Sequence, residues 1–319
     1  MRWRQFCAAL FALSVLASAV VANPPPASAP VSVMPLGDSI TAGTAGGYRK
    51  PLAQTLATRY HCTIITVGSQ IDDSLPVGQQ NHEGHPGWRI DQLADNLLGV
   101  NPADAGAHGG YWLTGGHDTG RIRVHPTFIT VMAGINDINQ MMGDDRSQPM
   151  SGRSDQIMKT LKQRMQRLVS TLSDNLPEST ILLGGCIPYN NGLLDEKLTG
   201  ATDANRAAWA AQDGVSPMQE LGVNHWVLMF NKWIREEYVP QLQALGKKVY
   251  YVDVYAQFIQ PDGTVRRWNN QEPENSAGPA GYADYGLHPN AFGYARMADA
   301  WAAAIHERMQ KEFPDGTKK

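Results

Sequence analysis

The chain has 319 residues, room for one large domain or two small ones, and it is rich in glycine and proline, with only 18% charged residues. Its formal net charge is −3, and no arginine-rich stripe runs along it. Neither a global field nor a local patch favours nucleic acid or an anionic membrane surface.

The N-terminus reads as a processing segment. Arg2 and Arg4 form a positive start, an apolar run continues to about Val21, and Ala22 or Ala19 offers a small residue for cleavage. Residues 1–22 are therefore expected to be a signal peptide, and 23–30, rich in Pro and Ala, an extended tether. The apolar run is short for a membrane span and no other stretch is long enough. The expectation is export to the periplasm or the extracellular space, with no membrane attachment after cleavage.

Val31 to Leu36 reads as a buried strand, Tyr48 to Tyr60 as a helix, and Cys62 to Val67 as a second, β-branched strand. Ile90 to Leu98 is a short helix closed by Gly99, and Phe128 to Met132 a third strand. Residues 155–174 carry the clearest amphipathic stripe, with Ile157, Leu161, Met165, Leu168 and Leu172 on one face. A strand at Thr180 to Leu183, a helix at Val227 to Leu245, a strand at Val249 to Val254 and a helix at Ala291 to Met309 complete the series. Strands alternating with helices imply a three-layer α/β/α sandwich on a five-stranded parallel sheet, one domain over 31–315. Two segments, 99–126 and 188–226, exceed ordinary loop length and read as walls of a cleft.

Four islands lie where such folds place their sites, beyond the carboxyl ends of the strands. They are Gly37-Asp38-Ser39-Ile40, His82-Glu83-Gly84-His85-Pro86-Gly87-Trp88, Gly134-Ile135-Asn136-Asp137 and Tyr285-Gly286-Leu287-His288-Pro289. Together they supply a serine, a histidine and candidate donors for an oxyanion, which is the inventory of a serine esterase. Asp38, beside the serine, reads as a brace for the following turn. His82-Glu83-Gly84-His85 is one residue short of the helical zinc motif, and its glycine and proline spoil a helix, so no metal site is expected. No Gly-x-Ser-x-Gly elbow is present.

The combination resembles the SGNH, or GDSL, hydrolase superfamily, which has a flavodoxin-like sandwich fold. The resemblance implies Ser39 as nucleophile and His288 as general base. It puts the Ser39 and Gly87 N–H groups and the Asn136 amide in the oxyanion hole, and needs no cofactor. Pro35 to Thr41, Gly47-Tyr48-Arg49, Val67 to Gln70 and His82 to Trp88 look, more narrowly, like carbohydrate esterase family 3. That implies an acetylated carbohydrate, such as xylan, or another small ester as substrate. The resemblance is close in the N-terminal third and weak in the middle, where the long insertions depart from the family pattern.

One position departs from the pattern. The family's triad acid sits three residues before the histidine, where this chain has Tyr285; the aspartate is one residue earlier, as Asp284. Asp284, a backbone carbonyl in a Ser-His dyad, or a distant carboxylate such as Asp253 or Glu274 would each orient His288. Trp88, Tyr189 and Trp268 are candidate sugar platforms. The alternatives are a general short-chain or lipid esterase and a non-catalytic glycan-binding protein with a degenerate triad. The superfamily's sheet order sets Cys62 and Cys186 on opposite sides of the sheet, so two free, buried thiols are expected.

Overall fold

The first strand, β1 (Val31–Gly37), is apolar almost throughout and buried along its length, as a strand covered on both faces must be. The computed structural model of the protein describes residues 30–98, 125–142, 154–188, 223–259, 282–284 and 288–313. Beside β1 run β2 (Ile64–Thr66) and β5 (Phe128–Met132), both parallel to it. The sheet continues outward from β5 through β6 (Thr180–Gly184) to β7 (Val249–Val252), again parallel. These are the five strands expected from the sequence, and β2-β1-β5-β6-β7 is a doubly wound order.

Among the described residues the sheet has seven strands, so the five-strand expectation is corrected by two short additions. β3 (Gln70–Ile71) and β4 (Asn81–Gly84) form an antiparallel pair, and β4 lies parallel to the last residues of β1, Leu36 and Gly37. Neither shows apolar alternation; in Asn-His-Glu-Gly, Asn81 donates to the Gly68 carbonyl, His82 accepts from Gly84 N, and Glu83 binds Ser69 N and His85. The second island, expected as a loop after β2, is thus partly a strand at the tip of β1.

Helices cover both faces. On one, α2 (Arg49–Arg59) packs against the long C-terminal helix, residues Ala291–Glu312. On the other lie α3 (Ile90–Leu98), α4 (Ile135–Met142), α5 (Ser154–Asn175) and α6 (Val223–Trp233). The stripe read along α5 is its buried face: Ile157, Leu161, Met165, Leu168 and Leu172 are all fully covered. The helix expected over Val227 to Leu245 starts earlier and is interrupted. Between α6 and α7 (Val239–Ala244), residues Ile234–Tyr238 form a wider π turn. Pro240 sits in the first turn of α7 and has no N–H to give a carbonyl one turn back, so the chain resets its hydrogen bonds there.

The chain's last part delivers one residue to the site. β8 (Tyr282–Asp284) and β9 (His288–Pro289) form a small antiparallel hairpin, and the C-terminal helix, α8, starts directly after it. Asn290 caps α8, its Oδ1 accepting from Phe292 N and Gly293 N at 3.0 and 3.1 Å. This cap fixes the direction from which His288 enters. The expected signal peptide, tether and both long connecting segments, apart from their ends, lie outside the described residues.

Cys62 precedes β2 and Cys186 follows β6, with β1 and β5 between those strands. Both thiols are buried and unbridged; Cys186 Sγ lies 3.4 Å from the Ala133 carbonyl oxygen. Alkylation in denaturant without reductant, read by peptide mass, should label both Cys62 and Cys186; a Cys62–Cys186 linked peptide would contradict this strand order.

Candidate active site

Ser39 opens a helix of four residues, α1 (Ser39–Ala42), which starts where β1 stops. Asp38 caps it: its Oδ1 accepts from Ile40 N at 2.9 Å. A helix this short does not hold itself together, and its neighbours supply what it lacks. Arg49, fully buried in α2, donates from Nη1 to the Thr41 and Ala42 carbonyls at 2.8 and 2.7 Å, and from Nη2 to Asp72 Oδ2 at 2.7 Å. The guanidinium thus takes the place of the next helical turn at the carbonyl end. Space is tight enough to require glycine: a β-carbon on Gly37 would lie 2.2 Å from the Met132 carbonyl oxygen, and one on Gly84 2.3 Å from Ala42 N.

The turn after β4 is tied to β1 by His85 N, which donates to the Gly37 carbonyl at 2.9 Å. Gly87 follows at φ +78°, in the region that favours glycine. Asn136, in the first turn of α4, donates from Nδ2 to the Trp88 carbonyl at 2.9 Å. A carboxamide nitrogen carries two N–H bonds, so this contact sets the direction of the second. Asp137 is completely buried and serves the frame: its Oδ2 accepts from Ile90 N at 2.9 Å, at the start of α3, and its Oδ1 from Arg164 Nη1 on α5 at 2.7 Å. Burial raises its pKa, against the opposing pull of Arg164 and the Ile90 N–H.

His288 arrives from the far end of the chain. Its Nε2 lies 2.8 Å from Ser39 Oγ, across 249 residues of sequence. Asp284 stands across the hairpin from His288 in the strand register; its side chain, Tyr189, Trp268, Tyr285 and Glu274 lie outside the described part of the structure. Asp253 is occupied elsewhere: Oδ1 accepts from Ala256 N at 3.0 Å and Oδ2 lies 3.9 Å from Arg235 Nη1. Trp88, named as a sugar platform, has one face covered by the His85 ring, 4.1 Å away and 15° from parallel. Structure therefore brings Ser39 and His288 together, and links the segments carrying Gly87 and Asn136 through the Trp88 carbonyl.

Sequence reasoning left Arg49, Glu83, His85 and Asp137 without roles. Glu83, His85 and Asp137 sat inside islands and Arg49 in the run Gly47-Tyr48-Arg49, and an ionisable side chain within each of these motifs was the available signal. His82 is held neutral: its Nδ1 accepts from Gly84 N at 3.0 Å, and burial with the fields of Arg49 and His85 pushes its pKa down to about 3. Among the described residues no group of three or more His, Cys, Asp or Glu side chains is placed to hold a metal ion, and no helix is long and apolar enough to cross a membrane.

The model of the GDSL-like Lipase/Acylhydrolase family matches residues 36–296. A multidomain esterase from Ruminococcus flavefaciens is 24% identical over 290 residues, which is 88% of this chain but 29% of that protein. Among solved structures, an acetyl esterase mutant with an acetate ion is 18% identical at a TM-score of 0.50, covering 88% of this chain and 99% of that one. A family 3 carbohydrate esterase from Clostridium thermocellum is 20% identical, with a TM-score of 0.45 and the same coverage. At this identity the structural likeness concerns the fold.

Burial drives the Asp38 pKa up to about 7 from an ordinary 3.8, against the Ile40 N–H and the field of His288. Between those values the folded chain holds a proton that the unfolded chain releases, so this group makes stability fall as pH rises from about 4 to about 7, by up to about 1.4 kcal/mol per pH unit. Asp38→Asn keeps an oxygen for the cap and removes that slope. Its stability relative to wild type, from urea titrations, should therefore improve steadily from pH 4.5 to 7 and level off above; a difference independent of pH would show that Asp38 is ionised throughout.

Proposed function

We propose that this chain, which belongs to the GDSL-like Lipase/Acylhydrolase family, is an exported serine esterase that removes acetyl groups from a carbohydrate. The observation that carries the hydrolytic reading is the 2.8 Å contact between His288 Nε2 and Ser39 Oγ, a nucleophile within bonding reach of its base.

The steps follow from the atoms. Ser39 Oγ attacks the ester carbonyl while His288 Nε2 takes its proton. The carbonyl oxygen becomes an oxyanion and meets the Ser39 and Gly87 N–H groups and the Asn136 amide, donors fixed before reaction and worth most where charge develops. His288 returns the proton to the departing alcohol, leaving an acetyl-Ser39 ester. Water then attacks that ester, giving its proton to His288, and acetate leaves as Ser39 recovers its hydrogen. Directly opposed residues of an antiparallel pair have Cα atoms about 4.5–5.5 Å apart, and Asp284 opposes His288 in register. This supports Asp284 as the group that orients the imidazole. Support for acetyl and for carbohydrate comes from the sequence runs Pro35 to Thr41 and His82 to Trp88. Export is supported by the Arg2/Arg4 start and the apolar run behind it.

Hydrolysis of 4-nitrophenyl acetate should exceed that of the butyrate and longer esters. Ser39→Ala should lower kcat/KM by about 10⁴-fold or more with an unchanged circular dichroism spectrum, and should abolish labelling by a fluorophosphonate. An active, labelled Ser39→Ala protein would refute the assignment; preference for long acyl chains would transfer it to a lipid esterase.

A further inference from the structure

A buried carboxylate and imidazole sit behind the proposed oxyanion donors, and the hydrolytic steps leave them unused. Glu83, on β4, and His85 are 0% and 2% exposed. Glu83 Oε1 accepts a short bond from Ser69 N, and Oε2 lies 2.8 Å from His85 Nε2. Asn96 Nδ2 adds a longer contact, 3.5 Å, to the same ring nitrogen. These partners leave the imidazole plane little freedom. That plane carries the Trp88 indole at 4.1 Å, and the Trp88 carbonyl in turn receives the Asn136 amide.

We propose that His85 is a positioning residue for the oxyanion hole, acting through Trp88 on the direction of the Asn136 amide. The proposal rests on the hydrolytic reading above and adds a residue to it. Burying a charged or polar pair is costly, and apolar side chains of like volume often serve stability as well. The feature that a filler would not reproduce is the fixed ring plane, held at one edge by Glu83 and loaded on its face by Trp88. The backbone of the same residue is already anchored, since His85 N donates to the Gly37 carbonyl, so substitution of the ring leaves the turn attached to β1. Distance sharpens the requirement: an oxyanion donor acts over hydrogen-bond length, and a misplacement of about 1 Å costs about 10²-fold in rate.

The test uses His85→Gln, whose amide still reaches for Glu83 but offers no aromatic face. With 4-nitrophenyl acetate the variant should lose about 10- to 100-fold in kcat with little change in KM. Asn136→Ala alone should lose about 10²–10³-fold. Because His85 acts through Asn136, the double variant should be no slower than Asn136→Ala; losses that multiply would overturn the proposal. A second measurement needs no turnover. In a side-chain amide NMR spectrum the Asn136 protons should be well separated in wild type and should move toward solvent values in His85→Gln. Unchanged Asn136 resonances would overturn the proposal whether or not the protein hydrolyses esters. A wild-type protein without turnover whose Asn136 signals still respond to His85→Gln would remove the hydrolytic reading and retain the positioning link.

Discussion

The site depends on one close approach. β1 ends between β4 and β5, and the single helical turn bearing Ser39 must sit in the gap above them. It fits only because Gly37 and Gly84 have no side chains: either β-carbon would come within 2.3 Å of a backbone atom of Met132 or Ala42. That tight fit leaves no room for α1 to extend, so its carbonyls need a partner from outside. Arg49 provides it, with Asp72 balancing the buried charge at 2.7 Å. The serine is thus held from below by the sheet and from behind by a guanidinium, and its hydroxyl is left facing the turn that delivers His288.

Buried carboxylates do most of the remaining organisation, and each is spent on a backbone N–H. Asp38 binds Ile40 N, Glu83 binds Ser69 N, and Asp137 binds Ile90 N. Asp137 and Glu83 also hold a second, nitrogen-bearing side chain, Arg164 and His85. Asp38 lacks such a close cation in its hydrogen bonding, and burial raises its pKa to about 7. Burial pushes Asp137 in the same direction, with Arg164 and the Ile90 N–H pulling against it, since a desolvated acid ionises readily only where an N–H or a cation compensates it. The consequence is a site whose framework charges are largely neutralised locally, with the Ser39–His288 contact at its open edge.

The sheet and the Ser39–His288 pair were legible because their signals are local. Val31 to Leu36, Phe128 to Met132 and Thr180 to Leu183 are short apolar runs, and runs of that kind become central parallel strands. The α5 stripe recurs at helical spacing and needed no tertiary information. Ser39 and His288 followed from short motifs whose order along the chain matches the fold. β4 was hidden because its residues bond to distant groups: Glu83 reaches Ser69 and His85, and the pairing with Leu36 and Gly37 comes from β1. Arg49, Asp137 and His85 were hidden for the same reason, since the worth of a buried charge is set by its partner, and those partners are Asp72, Arg164 and Glu83. Pro240 was visible, but a π turn as the remedy depends on how α6 and α7 both pack against their neighbours.

A crystal structure of the protein after reaction with a short alkyl fluorophosphonate tests the central claim most directly. The account predicts phosphorus bonded to Ser39 Oγ, His288 Nε2 beside that oxygen, and the phosphoryl oxygen within hydrogen-bond distance of Ser39 N, Gly87 N and Asn136 Nδ2. A phosphonate on another residue, or a phosphoryl oxygen turned away from Gly87 and Asn136, would contradict it.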